Sequence, residues 1–241
     1  MAKAGDARAP VGRPRANPRP LEGSARDEIL RAATRLFAEQ GFAQTTMAQI
    51  AEEAGLRQSS LYYYFRRKEL ILQATFAVNR APIEFLKRIS RDPGSAALRL
   101  YRLVRFDVVQ LCLAPCDVNE VWRISLVQSD LFGEFWVDRS DLHRRVERLV
   151  RDGVDEGSFL DDTDARFTAL SLMSANEGAQ NWWRQRDERR LDGARADAPP
   201  RYAPAEVGER TAAAALRSLL RRPSALAAIQ RQAATYDDTA V

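Results

Sequence analysis

Residues 45–65 read TTMAQIAEEAGLRQSSLYYYF, and this stretch decides the fold. It reads as two short helices around a glycine turn. Thr46 is an N-cap residue by type, and Gln49 three positions later completes a capping box, each side chain answering the other's backbone N–H. Met47, Ile50, Ala51 and Ala54 recur at helical spacing, and Gly55 supplies the left-handed corner that stops the first helix. A second helix runs from about Gln58 to Phe65. At about 100° per residue, Leu61 and Phe65 share one face with Tyr64 on its flank, while Ser59, Ser60, Tyr62 and Tyr63 point the other way. That outward face carries hydroxyls and aromatics, with Arg57 and Gln58 at its N-terminal end and few aliphatics. Such a face suits the major groove of DNA. Core packing of the tyrosines is the competing reading, and the wheel leaves two of them outside.

Working outward, Ser24 caps an earlier helix with Asp27 and Glu28 in its first turn, where the helix dipole favours anions. Ile29, Ala33, Leu36 and Phe37 form its buried stripe, and Gly41 ends it. Three helices of this kind make a helix-turn-helix domain over residues 24–70. Ahead of it, residues 1–23 hold four prolines and five basic residues with no apolar periodicity, which reads as a flexible arm. Either the arm is a tail without a role, or Arg13, Arg15 and Arg19 reach phosphates or the minor groove beside the main contact.

Charge follows the same division. Through Leu70 the chain carries 12 Lys+Arg against 8 Asp+Glu, and from Ile71 onward 25 of each. The whole formal charge of +4 therefore belongs to the module with the helical pair, the electrostatic footprint expected of a nucleic-acid binder.

From Ile71 to Val241 the pattern stays helical. Pro82 should kink or break a helix through residues 70–89, and Asp92-Pro93-Gly94 stops it. This helix joins the basic module to the rest, a mechanical link. Helices follow from Ser95 to about Ala114, from Asp117 to about Leu131 and from Glu134 to Glu156, with Val146, Leu149, Val150 and Val154 as the buried stripe of the last. Thr163 caps a helix to about Arg184 that is rich in small residues. A polar loop over residues 187–202 precedes a final helix over about 204–222. Strand-like alternation is absent, so the fold is all-α.

Several chemistries are excluded. His143 is the single histidine, which leaves no Ser-His-Asp base and no HExxH motif, and neither GxGxxG nor a P-loop occurs. No metal and no cofactor is expected. Cys112 and Cys116 read as reduced, packed thiols of a cytoplasmic protein, with metal or redox sensing as the sharper alternative. No run of about 18 apolar residues and no secretory leader is present, so neither membrane insertion nor export is expected.

Residues 45–72, TTMAQIAEEAGLRQSSLYYYFRRKELIL, resemble the DNA-binding domain of the TetR (tetracycline-repressor) family. The matching features are Gly41-Phe42, the double threonine, the Ile50-Ala51 and Ala54-Gly55 pairs, Leu61-Tyr62, Phe65 and Lys68-Glu69-Leu70. The resemblance covers about 50 residues, Ser24 to Leu72. It implies that Thr46 contacts phosphate, that Arg57, Gln58, Ser59 and Ser60 approach base edges, that Tyr62 and Tyr63 meet the backbone, and that Lys68 meets a phosphate. It also implies that residues 71–241 form a helical ligand-binding and dimerisation domain. Arg57 departs from the small capping residue usual at its position, which weakens the cap and opens a bidentate guanine contact. Tyr64, where the family often has His or another aromatic, is a mild change.

Aromatic residues are dense in that second domain. Phe106, Trp122, Leu126, Phe132, Trp136 and Phe167, with Asn176 as a polar anchor, are the candidate lining of a mostly apolar ligand cavity, against the plainer reading of ordinary core. Asn181-Trp182-Trp183 and Tyr202-Ala203-Pro204 are similar to members of the family that govern lipid and steroid breakdown and sense acyl-CoA thioesters. The small-residue helix at 163–184, with 204–222, suits a four-helix dimer interface. The expectation is a non-enzymatic, homodimeric, cytoplasmic repressor, released from a double-stranded DNA operator by a small lipophilic ligand. A DNA-binding protein without a ligand and a cytoplasmic all-α enzyme are the alternatives; the absence of a ligand-sized cavity would favour the first, and the lone histidine argues against the second.

Overall fold

The computed structural model describes residues 24–75, 79–114, 117–185 and 201–238, with the side chains of residues 184 and 185 left aside. The chain divides into two compact units between Ile71 and Leu72.

The first unit holds α1 (Ala25–Gln44), α2 (Met47–Glu53) and α3 (Gln58–Tyr64), and the start of α4 (Lys68–Thr75). Ser24 and Asp27 form a full capping box. Asp27 N–H donates to Ser24 Oγ at 3.3 Å, and Ser24 N–H donates to the Asp27 carboxylate at 3.0 Å. The Ser24 bonds hold the Asp27 carboxyl below its ordinary range. At Gly41, with φ of +81°, the helical path breaks. Phe42 then folds back on Phe37, ring centroids 5.3 Å apart. Leu36 lies at the margin of this core and Ala32 inside it, so the buried stripe is Ile29, Ala32, Ala33 and Phe37.

α3 is too short to be helical alone. Leu61 and Phe65 fix it, both buried where α3 packs on α2, each stabilising by roughly 1.5–3 kcal/mol. Thr46 and Gln49 repeat the capping box at α2, and Gly55 turns the corner with φ of +65°.

The second unit is built around α6 (Ala96–Leu113), which is buried along most of its length. α5 (Arg80–Ile89), α8 (Gly133–Asp155), α9 (Ala165–Gln185), α10 (Pro204–Arg217) and α11 (Leu226–Ala233) pack against it, and α7 (Val118–Val127) packs on α9. α10 comes closest, because Gly208 faces the Arg105 carbonyl where a Cβ would stand 2.7 Å from it. Gln180 joins α6 to α7: its Nε2 donates to the Leu111 carbonyl at 2.6 Å, and its Oε1 accepts from Val118 N–H at 2.9 Å. The buried Arg102 guanidinium donates to Asp238 and Asp92, tying the chain beyond α11 to α6.

Three details differ from the sequence reading. The break between α4 and α5 comes before Pro82, which sits in the first turn of α5, where its missing N–H has no intrahelical partner. Asp164, not Thr163, caps α9, its carboxylate accepting from Phe167 N–H at 3.0 Å. α11 was not foreseen, since Pro223 and a run of alanines gave no clear stripe. Among the described residues the sole β contact is an isolated bridge between Phe159 and Leu220. None of the described helices is long and apolar enough to cross a membrane.

Candidate functional site

The sequence sets α3 with its aliphatic side inward, which leaves its polar and aromatic side out. Tyr63 is 84% exposed, Tyr62 44% and Tyr64 42%, the last meeting Tyr63 edge-on at 5.2 Å. Arg57, Gln58 and Ser59 are exposed and Ser60 half-buried. Arg57 occupies the N-cap of α3 without a capping bond, as its side chain has no acceptor. Thr46 is exposed at the start of α2, its hydroxyl engaged with Gln49. Of the eight residues singled out for DNA contact, Thr46, Arg57, Gln58, Ser59, Tyr62 and Tyr63 are thus exposed and Ser60 is half-buried.

Lys68 is used differently. Its ammonium turns inward, donating to the carbonyls of Phe42 and, at 2.6 Å, Thr45, and it stands 4.2 Å over the Phe42 ring. It braces the end of α1 against the start of α4. Arg66 and Arg67, which follow α3 directly, are exposed instead. Their sequence signal was plain, two arginines after the reading helix, but the family pattern drew attention to Lys68. The arginines of the N-terminal arm lie outside the described residues.

In the second unit the candidate ligand residues separate. Phe106 is buried in the core, stacked on Phe85 at 4.1 Å, and Phe132 is buried beside Phe135. Leu126 is 57% exposed and Phe167 68% exposed. Trp122 and Trp136 stay together, edge to face at 4.9 Å. The seven residues thus divide between core and surface, because helical periodicity reports which side is buried and not which neighbour it meets.

Asn176 does take a polar position inside. Its Nδ2 donates to Asp107 Oδ2 at 2.7 Å, both side chains buried between α6 and α9. The Asn176 Oδ1 is buried with no hydrogen-bond partner. The pair borders a remnant space of about 10 Å³ among Leu100, Leu103, Val104, Leu142, Val146 and Met173. Burial pushes the Asp107 carboxyl up to about 7, with Glu177 adding to it and the Asn176 bond and Arg139 opposing. Sequence reasoning missed Asp107, yet the signal was present: it interrupts the Leu100, Leu103, Val104, Leu111 stripe at the spacing of an apolar residue.

Two open grooves lie among the described residues of this unit. One, of about 330 Å³, runs between α9 and α10 over Phe167, Ser171, Ala175, Ala214 and Ser218. The other, of about 390 Å³, lies over α8 and the start of α9. Cys112 is packed in the core, and Cys116 lies outside the described residues.

Comparison with known proteins agrees with this geometry. Residues 29–75 match the model of the bacterial regulatory proteins of the tetR family, and residues 125–190 match a tetracyclin repressor-like C-terminal domain. The HTH-type transcriptional repressor KstR2 of Mycolicibacterium smegmatis is 42% identical over 177 residues, covering 67% of this chain and 80% of the relative. The structure of the ketosteroid transcriptional regulator KstR2 of Mycobacterium tuberculosis superposes with a TM-score of 0.64 at 18% identity, covering 84% of this chain and 98% of that one. The transcriptional regulator FadR of Bacillus subtilis, solved with stearoyl-CoA, shares the fold with a TM-score of 0.56 at 17% identity over 80% of this chain and 98% of its own. These relatives are transcriptional regulators, not enzymes. With a capped helix-turn-helix whose reading face is open, a helical second unit and this kinship, the chain belongs to the TetR family of DNA-binding transcriptional regulators.

Proposed function

We propose that the protein represses transcription as a two-fold dimer whose paired α3 helices read a partly palindromic operator, and that a lipophilic effector in the second unit releases it. The observation that carries this is the outward side of α3. Tyr63 is 84% exposed and meets Tyr64 edge-on rather than entering the core, and Arg57, Gln58 and Ser59 are exposed at the start of the same helix. In this reading Tyr62, Tyr63 and Thr46 meet the sugar–phosphate backbone, with Arg66 and Arg67 taking the phosphate role first expected of Lys68. Arg57 to Ser60 are left for base edges. The second copy would dock on the small-residue groove of α9 and α10, and the operator of such a dimer presents its half-sites about one DNA turn, roughly 34 Å, apart.

An effector acts only through different affinities for the operator-bound and released states. The interior beside Asp107 and Asn176 supplies such a difference. At about 10 Å³ it takes at most one water, so an apolar ligand must part α5, α6, α8 and α9 to enter. The orphaned Asn176 oxygen offers that ligand a hydrogen-bond acceptor. The relatives regulating ketosteroid and fatty-acid metabolism favour a CoA thioester as effector. The closed interior also favours a second reading, a regulator that needs no effector. Fluorescence anisotropy on labelled operator separates them. Stearoyl-CoA, or a steroid-acid thioester, should release the DNA at concentrations where free CoA and free acid do not; DNA retained throughout supports the effector-free regulator.

A further inference from the structure

The groove over α8 and the start of α9 has a lining that neither core packing nor dimerisation explains. Trp122 and Trp136 form one wall, with Arg139, Arg144 and Arg166 around it. Arg139 is committed within the fold: it donates to Glu177 at 2.6 Å and stacks 4.2 Å over Trp122. Of the acids on α8, Asp141 is held by Arg145 at 2.8 Å and Glu147, which lines this groove, by Arg151 at 2.6 Å. Arg144 is left 3.7 Å from Asp141, beyond hydrogen-bond reach. The Arg166 side chain makes no ion pair or hydrogen bond with another described residue. It also stands in the first turn of α9, where the helix dipole disfavours a cation. His143, between them, is held neutral by burial and by Arg139, so it adds a hydrogen-bonding group rather than charge.

Two available guanidiniums select phosphate, which their planar forks grip in pairs. A groove of about 390 Å³ is far larger than one phosphate, and its indole wall offers a surface on which a planar base can lie. We propose that this groove binds a phosphorylated nucleoside, its phosphates held by Arg144 and Arg166 and its base laid against the Trp122–Trp136 wall. The inference rests on reading the second unit as a sensor, and it names the chemistry of one end of the effector.

The test is titration of the full-length protein with adenosine 3′,5′-bisphosphate, followed by tryptophan fluorescence and calorimetry, with inorganic phosphate as a parallel arm. The bisphosphate should bind and change the emission. R144A/R166A should weaken it at least tenfold while the thermal melt stays in place, and W136L should weaken the bisphosphate without touching phosphate. No binding at millimolar bisphosphate, equal affinity for phosphate alone, or equal binding by R144A/R166A would each overturn the proposal. Operator release is scored separately. A thioester that fails to release DNA while the bisphosphate binds sinks the sensor reading and spares the site; release that survives in R144A/R166A, with no bisphosphate bound, does the reverse.

Discussion

Asp107 shows what one residue contributes that its helix does not advertise. In the folded chain it keeps its proton to about pH 7, whereas unfolded it loses it near pH 4. Folding therefore takes up a proton between those values, and stability falls as pH rises from about 4 to 7 and stays reduced above. Asp107→Asn removes the titration and gives the stranded Asn176 oxygen a donor. Urea unfolding should show the variant more stable at pH 8, by roughly 2–4 kcal/mol, with the slope between pH 4 and 7 flattened. Equal pH profiles for the two proteins would show that the carboxyl is not buried as described. At the reading helix, Arg57→Ala should weaken some operator variants more than others; a uniform loss would assign it to phosphate rather than to guanine.

At the scale of elements, the short helices of the first unit were legible because their ends are written in side chains: Ser24 with Asp27, Thr46 with Gln49, and glycines at 41 and 55. The second unit was legible as helices but not as an arrangement. Its aromatics are spaced alike, yet Phe106 went to the core, Phe167 to an open groove and Trp122 to another, because tertiary neighbours decide among buried faces. Lys68 is the converse case, where a family pattern named a phosphate contact and the fold uses the ammonium on its own carbonyls. Gly208 is where element packing is most exacting. Gly208→Ala would press a methyl on the Arg105 carbonyl and push α10 off α6. Denaturant unfolding should register a loss of about 1–3 kcal/mol, and no loss would mean the two helices have slack the structure does not show.

For the whole molecule, a basic reading unit is joined to a neutral helical unit, and the effector and the second copy both fall to the latter. Net charge and helix caps made the first assignment possible from sequence, whereas the closed interior and the basic groove emerged only with the packing of α6, α8 and α9. If the α9–α10 groove seats the second copy, Ala214→Arg should leave a monomer by analytical ultracentrifugation, and operator affinity should fall with it; a dimer that persists would move the interface elsewhere. The most direct test of the central claim is retention of genomic DNA fragments at low salt by the wild-type protein and by Tyr63→Ala. The expected result is a small set of fragments sharing a partly palindromic site, held by the wild type and lost from the variant, with the melting temperature moved by no more than about 1 °C, as befits an exposed side chain. No fragment retained by the wild type, or the same set retained by the variant, would contradict it.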